Sequence, residues 1–209
     1  MTKRAREIVG YSVVNNRLGD RIDDFVKCHH DGFNDYKSIM DYIGTLDVPT
    51  DYKVRSKACI IHEQVKARLI QRFFNEPDVT IGEWKGVFGL QFEDEFLIRV
   101  KKFLKGGNIS NYQTPQHKTI MKQGILDGFP DKPTFIISGY LPDKTLTEIV
   151  GVYLACWSAD GLEWFKKIGG DGFEQGVIEF DGTPLQPTGT TRVRVRASDI
   201  DTKTGTANE

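Results

Sequence analysis

The chain has 209 residues, of which 39% are hydrophobic and 27% are charged. This balance excludes a wholly disordered protein, and the length fits one domain near the upper size for a single core. Its 28 Lys and Arg residues nearly equal its 29 Asp and Glu residues, leaving a net charge of -1. A protein that binds nucleic acid through its overall charge would be basic, so any such binding here requires a local cluster of cations.

The compartment is indicated by three features of the sequence. The first seven residues carry positive charge, but no apolar segment follows them, so they do not form a secretory signal. No run approaches the ~18 to 20 apolar residues that cross a bilayer. The three cysteines (Cys28, Cys59 and Cys156) are odd in number and far apart, unlike a disulfide framework. We therefore expect a cytoplasmic protein that does not bind membranes.

The N-terminal third is predicted to be helical. Asn34 can cap a helix that ends near Gly44, since apolar residues between them follow a three-to-four spacing. A longer helix is predicted from Tyr52 to Phe74, with one apolar stripe along it. The segment Asn75-Glu76-Pro77 ends this helix, because proline cannot continue it.

The middle of the chain changes to a period of two. Trp84 to Phe92 is predicted to be a strand, and Phe96 to Phe103 is its return strand across a polar turn. Thr114 followed by Pro115 predicts the start of a short helix that reaches about Gln123.

The following segments predict a second hairpin. Pro133 to Tyr140 forms one strand, and Thr147 to Trp157 is an apolar run typical of a central strand covered on both faces. Leu162 to Ile168 is a short amphipathic helix or strand. Gly176 to Phe180 and Thr191 to Arg196 are predicted edge strands.

The order of elements predicts an α+β fold. We expect N-terminal helices packed on a mostly antiparallel sheet built from two hairpins, in a single domain. This domain is predicted to span residues 1–196. The polar residues 197–209 are predicted to be a flexible C-terminal tail.

Two groups of residues carry a weak signal for a metal. Cys28-His29-His30 lies in one tract, while Cys59 and His62 share a helix face. Zinc sites need four ligands with characteristic pairings, and adjacent residues on a helix rarely reach the same ion. We therefore predict no metal site. Motifs for a nucleophile, a phosphate-binding loop or a dinucleotide are absent from the sequence as well.

Residues 63–123 carry a pattern in which a helix bearing Glu63 precedes a hairpin, and the second strand contains Ile98-Arg99-Val100-Lys101. The order helix, strand, strand, helix, strand resembles the core of the PD-(D/E)xK nuclease superfamily. That resemblance implies a Mg²⁺-dependent nuclease, with Glu63 and Glu93 as metal ligands and Lys101 orienting the attacking water. The sequence departs from the motif because Arg99 occupies the position of the second acid, and a guanidinium repels Mg²⁺. We therefore expect that the protein has no cofactor. One alternative is an active nuclease that uses Mg²⁺, and a further alternative is a degenerate core of this type that does not cleave.

Basic residues are predicted to form a nucleic-acid-binding face. They come from the second strand of the hairpin, the short helix after it and a period-two segment near the C-terminus: Arg99, Lys101, Lys102, Lys105, Lys118, Lys122, Arg192, Arg194 and Arg196. Such residues position a phosphate backbone when they lie on one exposed face. The alternative is an ordinary solvated strand face, since Arg99 and Lys101 alternate with apolar residues.

A second resemblance concerns the setting of the protein. The segment Leu97 to Phe103, followed by Asn111, Thr114, Gln116 and Gln123 and then by Gly139-Tyr140-Leu141, is similar to a pattern in small uncharacterised proteins of bacteria, phages and mobile elements. The resemblance implies a defence, counter-defence or toxin–antitoxin setting.

Two classes of function follow. The first is a non-catalytic binding or regulatory protein with an unknown protein partner, acting through protein–protein contacts or the basic hairpin face, and able to form homo-oligomers. The second is a nucleic-acid-binding protein or nuclease.

Overall fold

The computed structural model describes residues 6–110 and 114–169, which all belong to one compact unit. The described part begins with three helices, and a fourth lies between the third and fourth strands: α1 (Tyr11–Leu18), α2 (Arg21–Gly44), α3 (Val54–Phe73) and α4 (Pro115–Met121). A 3₁₀ turn, Lys105–Gly107, precedes α4. Thr114 caps α4 by accepting a hydrogen bond from the backbone N–H of His117, so the predicted cap-then-proline start is confirmed.

The strands described in the structure form one sheet in chain order. They are β1 (Val79–Trp84), β2 (Val87–Phe92), β3 (Phe96–Lys102), β4 (Thr134–Pro142), β5 (Ile149–Trp157) and β6 (Leu162–Ile168). Neighbouring strands are antiparallel except β3 and β4, which are parallel because α4 connects them as a crossover. The predicted α+β class, with N-terminal helices on a mostly antiparallel sheet, is confirmed.

Two elements differ from the sequence prediction. The helix that was predicted to begin at Asn34 begins at Arg21, and its earlier turns bury Phe25 and Phe33 together with His29. The strand that was predicted to begin at Trp84 is preceded by β1, and Lys85-Gly86 forms the turn between them. Both turn residues have positive φ, 48° and 76°, as a two-residue hairpin turn of type I′ requires.

The sheet is covered on both faces. Helices α2 and α3 pack over one face, where alternate residues of β3 such as Ile98 and Val100 join the main core with Phe25 and Val65. The two helices cross closely at Gly32, where a Cβ would lie 2.6 Å from the backbone nitrogen of Val65. Helix α4 covers part of the opposite face.

Some predictions concern residues outside the described ranges. The edge strands Gly176 to Phe180 and Thr191 to Arg196, and the tail 197–209, all lie there. Within residues 6–110 and 114–169, the helices are too short or too polar to cross a bilayer.

Candidate anion site between strand β3 and helix α4

Strand β3 directs its odd-numbered residues toward α4. Leu97 packs in an apolar cluster with Ile120 of α4, and Phe103 packs in another with Met121 at the end of the same helix. Because side chains alternate along a strand, Arg99 lies on this face between the two clusters. Lys101 follows on the same face.

The neighbouring strand β2 diverges from β3 beside these residues. The pairing between them runs from Phe92 opposite Phe96 to Leu90 opposite Ile98. Beyond that point β2 continues to pair with β1, as far as Val87 opposite Trp84. Among the described strands, β3 is therefore paired only with β4 at Arg99 and Lys101.

Arg99 is the most deeply buried cation of this site. Its residue is 5% exposed, and its Nε and Nη1 atoms are buried without a hydrogen-bond partner within the described part of the chain. Burial alone lowers the pKa of Arg99 to about 10, since removal from water penalises the charged form. An unpaired buried guanidinium is costly, and proteins usually pair such a charge.

The charge of Arg99 also acts on Lys101 and His117. Lys101 is partly buried, and burial together with the nearby charge of Arg99 lowers its pKa to about 8. Burial, followed by the positive charges of Arg99 and Lys101, lowers the pKa of His117 to about 4. His117 is therefore neutral at pH 7, and its Nδ1 atom is buried without a described hydrogen-bond partner.

Helix α3 approaches the same residues from the other side. Burial is the main cause that lowers the pKa of His62 on this helix, and Lys101 and Arg99 add to it. The next residue, Glu63, is exposed and lies 3.9 Å from Lys66 on its own helix. Among the ion pairs of the described residues, none involves Arg99 or Lys101. The charges of Arg99 and Lys101 are therefore not neutralised by an ion pair with a described residue.

A cleft of about 280 Å³ extends the site along α4. His117 lines it together with Lys118 and Lys122, and Trp157 of β5 forms part of its wall. Both lysines are exposed, and neither forms an ion pair with a described residue. Arg99 and Lys101 do not line the cleft themselves, but both charges act on His117, which does. We therefore group Arg99, Lys101, His117, Lys118 and Lys122 as one basic track, which we call the β3–α4 site.

The structure divides the predicted basic residues into separate groups. Arg99, Lys101, Lys118 and Lys122 belong to the β3–α4 site, whereas Lys102 and Lys105 line a different groove at the end of β3 and β4. The remaining members, Arg192, Arg194 and Arg196, lie outside the described residues.

Arg99 lies on neither of the exposed faces that the sequence predicts, the nucleic-acid-binding face or the ordinary solvated strand face. A residue with 5% exposure lies under other elements. The alternation of Arg99 with Ile98 and Val100 is real, but both faces of β3 are covered. Alternation therefore separates two packed faces here, rather than a packed face from a solvated one.

The residues of the magnesium alternative do not converge. Glu93 lies in the turn between β2 and β3, where it forms an ion pair with Arg17 at 3.0 Å. Lys101 lies five residues beyond the start of β3 at Phe96, roughly 16 Å along an extended strand. Among residues 6–110 and 114–169, no three His, Cys, Asp or Glu side chains form a group that could hold a metal ion.

Cys28 and His29 of the candidate metal tract belong to the buried side of α2, whereas His30 is exposed. His29 is fully buried on α2, and its Nε2 atom lies 2.9 Å from the hydroxyl oxygen of Ser138 on β4. Burial lowers the pKa of His29 to about 3 and raises the pKa of Cys28 to about 11. Both groups are therefore neutral at pH 7.

Sequence reasoning identified Arg99 and Lys101 but missed His117. A signal was present, since His117 is the third residue after the predicted cap Thr114 and lies one residue before Lys118. The comparisons with known proteins add no further candidate: no protein-family model, curated protein or solved structure matches the chain.

Proposed function

We propose that the protein is a non-catalytic binding protein that takes a phosphate group of nucleic acid at the β3–α4 site. The observation that carries this proposal is Arg99, which is 5% exposed and has two buried nitrogen atoms without a described partner. A phosphate oxygen would accept hydrogen bonds from these nitrogens and would offset the buried charge.

The composition of the site favours an anion over a metal ion. Arg99 and Lys101 bring two positive charges close together, and the charge of Arg99 adds to burial in lowering the pKa of Lys101. No ion pair with a described carboxylate neutralises either group. A cation would be repelled here, whereas an anion would stabilise both groups. Neutral His117 can donate one further hydrogen bond to the anion without adding charge.

The shape of the track favours a chain of phosphates. Lys118 lies on α4, and Lys122 follows directly after the last helical residue, Met121. The backbone N–H of Lys122 still donates to the carbonyl of Lys118, so the two residues are one turn apart on the same side. They continue the positive potential from the recessed Arg99 into the cleft. Trp157 lies in the wall of this cleft, where an aromatic side chain is suited to contact a base. A short single strand of DNA or RNA fits these features.

Fluorescence polarisation with labelled single-stranded oligonucleotides tests the proposal. We expect the logarithm of the binding constant to fall with the logarithm of salt concentration, with a slope of about -0.7 for each phosphate neutralised. Replacement of Arg99 with Met should weaken binding and reduce this slope by about one phosphate contact. Lys132→Met is the matched control, since Lys132 is exposed and pairs with Asp94 far from the track. Equal binding by R99M and the unaltered protein would reject the proposal.

The setting remains the one that the sequence predicts. The free cysteines described in the structure, two buried and one exposed, are compatible with the cytoplasm, and the resemblance to phage and mobile-element proteins supports a regulatory role in a prokaryotic system. The nuclease alternative would require Mg²⁺-dependent cleavage of the same oligonucleotides. A gel assay with and without Mg²⁺ separates it from simple binding.

A further inference from the structure

A second candidate surface lies at the end of β3. A groove of about 510 Å³ is formed where β3 and β4 end, and the start of α3 contributes to it. Its apolar residues include Val54, Leu104 and Val150, which are 64%, 43% and 52% exposed. Three large aliphatic side chains so exposed around one groove are typical of a binding surface rather than of scattered surface residues. We call it the strand-end groove.

Cations surround this apolar surface. Lys102, Lys105 and Lys144 line the groove, and none of them forms an ion pair with a carboxylate in the described part of the chain. The lining contains one carboxylate, Asp143, and its oxygens are occupied. They accept hydrogen bonds from the backbone N–H groups of Thr145, Thr147 and Glu148 and from the hydroxyls of both threonines.

The hydrogen bonds to Asp143 also make the turn rigid. They hold the pKa of Asp143 far below its ordinary value, with the Thr145 hydroxyl as the largest cause. In the same turn Leu146 has a φ of 59° and is only 6% exposed. A leucine adopts this left-handed conformation only where the surrounding contacts determine it. The groove is therefore preformed, which lowers the entropic cost of binding.

From these features we propose that the strand-end groove binds an acidic peptide segment of a partner protein, with one or two apolar side chains inserted between the lysines. The volume is within the range of about 300 to 1,000 Å³ for ligand pockets. Acidic residues on either side of the apolar anchors would complement the three unpaired lysines. The proposal is independent of the β3–α4 site, because Lys101 and Lys102 lie on opposite faces of β3.

The lining favours a peptide over nucleic acid. Binding of single strands relies on aromatic rings on which bases stack. The one aromatic residue of the lining, Phe103, is fully buried, so its ring offers no platform. The exposed contacts are aliphatic, and they match leucine or valine side chains of a peptide.

The experiment is selection of the full chain against a random dodecapeptide library, with a parallel selection against the double variant Val54→Asp, Lys144→Glu. We expect peptides enriched only on the unaltered chain to combine Asp or Glu with Leu, Ile, Val or Phe. Absence of enrichment over the double variant, or enrichment of neutral or basic peptides, overturns the proposal.

Direct binding of one enriched, fluorescein-labelled peptide then locates the contact. Val54→Asp places a carboxylate in the first turn of α3, where the helix dipole favours it, so the variant should remain folded by circular dichroism. It should weaken peptide binding by about tenfold or more, as loss of an anchor contact does. Val13→Asp is the matched control, since Val13 is 52% exposed on α1 and does not line the groove.

A charge exchange between the two sites completes the test. Lys144→Glu should weaken the peptide and leave oligonucleotide binding unchanged, whereas Lys118→Glu should do the reverse. If Lys118→Glu weakens the peptide as much as Lys144→Glu, the groove is not the binding site. Competition of the peptide by an oligonucleotide would also overturn the assignment, because it would place both ligands on one surface.

Discussion

Replacement of Arg99 with Met is expected to stabilise the protein while removing its anion site. Burial lowers the pKa of Arg99 from 12.5 to about 10. At about 1.4 kcal/mol for each pKa unit, the buried charge therefore costs the folded state roughly 3 kcal/mol. Methionine is uncharged and flexible and replaces the aliphatic part of the arginine between the two apolar clusters, although it is too short to fill the space of the guanidinium.

The net gain should be smaller than that cost, because the new side chain will pack imperfectly. We expect an increase in the free energy of unfolding of about 1 to 3 kcal/mol. For a chain of this size the melting temperature should rise by about 2 to 4 °C for each kcal/mol. Urea unfolding at pH 7 without any oligonucleotide or phosphate in the buffer measures the change.

Two other arginines provide controls. Arg55 is exposed on α3, so Arg55→Met should change the free energy of unfolding by less than about 0.5 kcal/mol. Arg72 pairs with Asp24 and Glu76, each at 2.7 Å, so Arg72→Met should lower it. A loss of stability in Arg99→Met like that in Arg72→Met would show that the guanidinium is paired, and would refute the reasoning behind the anion site.

Three further predictions concern pH and helix packing. Oligonucleotide affinity, measured by fluorescence polarisation, should fall as pH rises through about 8, because Lys101 then loses its proton; a curve that stays flat from pH 7 to 9.5 would contradict its role. The pKa of His29 is about 3 in the folded protein and 6.5 ordinarily, so the unfolded state binds more protons below 6.5. The contribution of neutral His29 to the free energy of unfolding is therefore fully present above pH 6.5 and is lost as the pH falls toward 3. His29→Gln should reduce the slope of unfolding free energy against pH by about 1.4 kcal/mol per pH unit near pH 5, and an unchanged slope would exclude a buried neutral histidine. Gly32→Ala should destabilise the protein in urea unfolding because its Cβ would lie 2.6 Å from a Val65 backbone atom, whereas Gly44→Ala, with nothing within 4 Å, should stabilise it by about 0.4 to 1 kcal/mol; equal effects would contradict the close helix crossing.

Sequence patterns were sufficient where one local rule determined the element. Helix α3 was predicted to within two residues because its apolar stripe is regular and a proline follows it. The start of α4 followed from Thr114 and Pro115. The first half of α2 was missed, although Phe25, His29 and Phe33 are spaced four residues apart and all three are buried.

The geometry of the site depends on contacts that local patterns do not encode. Arg99 and Lys101 were selected for their place on the nuclease-like strand and among the basic residues, but their burial requires α4 to fold over β3. That placement follows from the parallel pairing of β3 with β4, in which Lys101 lies opposite Gly139. A Cβ at Gly139 would lie 2.1 Å from the carbonyl oxygen of Lys101, so the close approach of the strands requires glycine. The sequence contains Gly139, but local patterns do not indicate that it pairs with Lys101.

Strand β3 contributes to both proposed binding surfaces, the β3–α4 site for an oligonucleotide and the strand-end groove for a peptide. Lys101 and Lys102 are adjacent, yet the alternation of side chains directs one toward α4 and the other toward the strand-end groove. A ligand at either surface would contact the same short backbone segment, next to Phe103, which is fully buried and packs with Phe165 at 5.2 Å between ring centroids. Because Phe103 anchors this segment in the core, we expect binding at one surface to leave the other unchanged. The two affinities should therefore be independent, and measurable coupling between oligonucleotide and peptide would require movement of β3 itself.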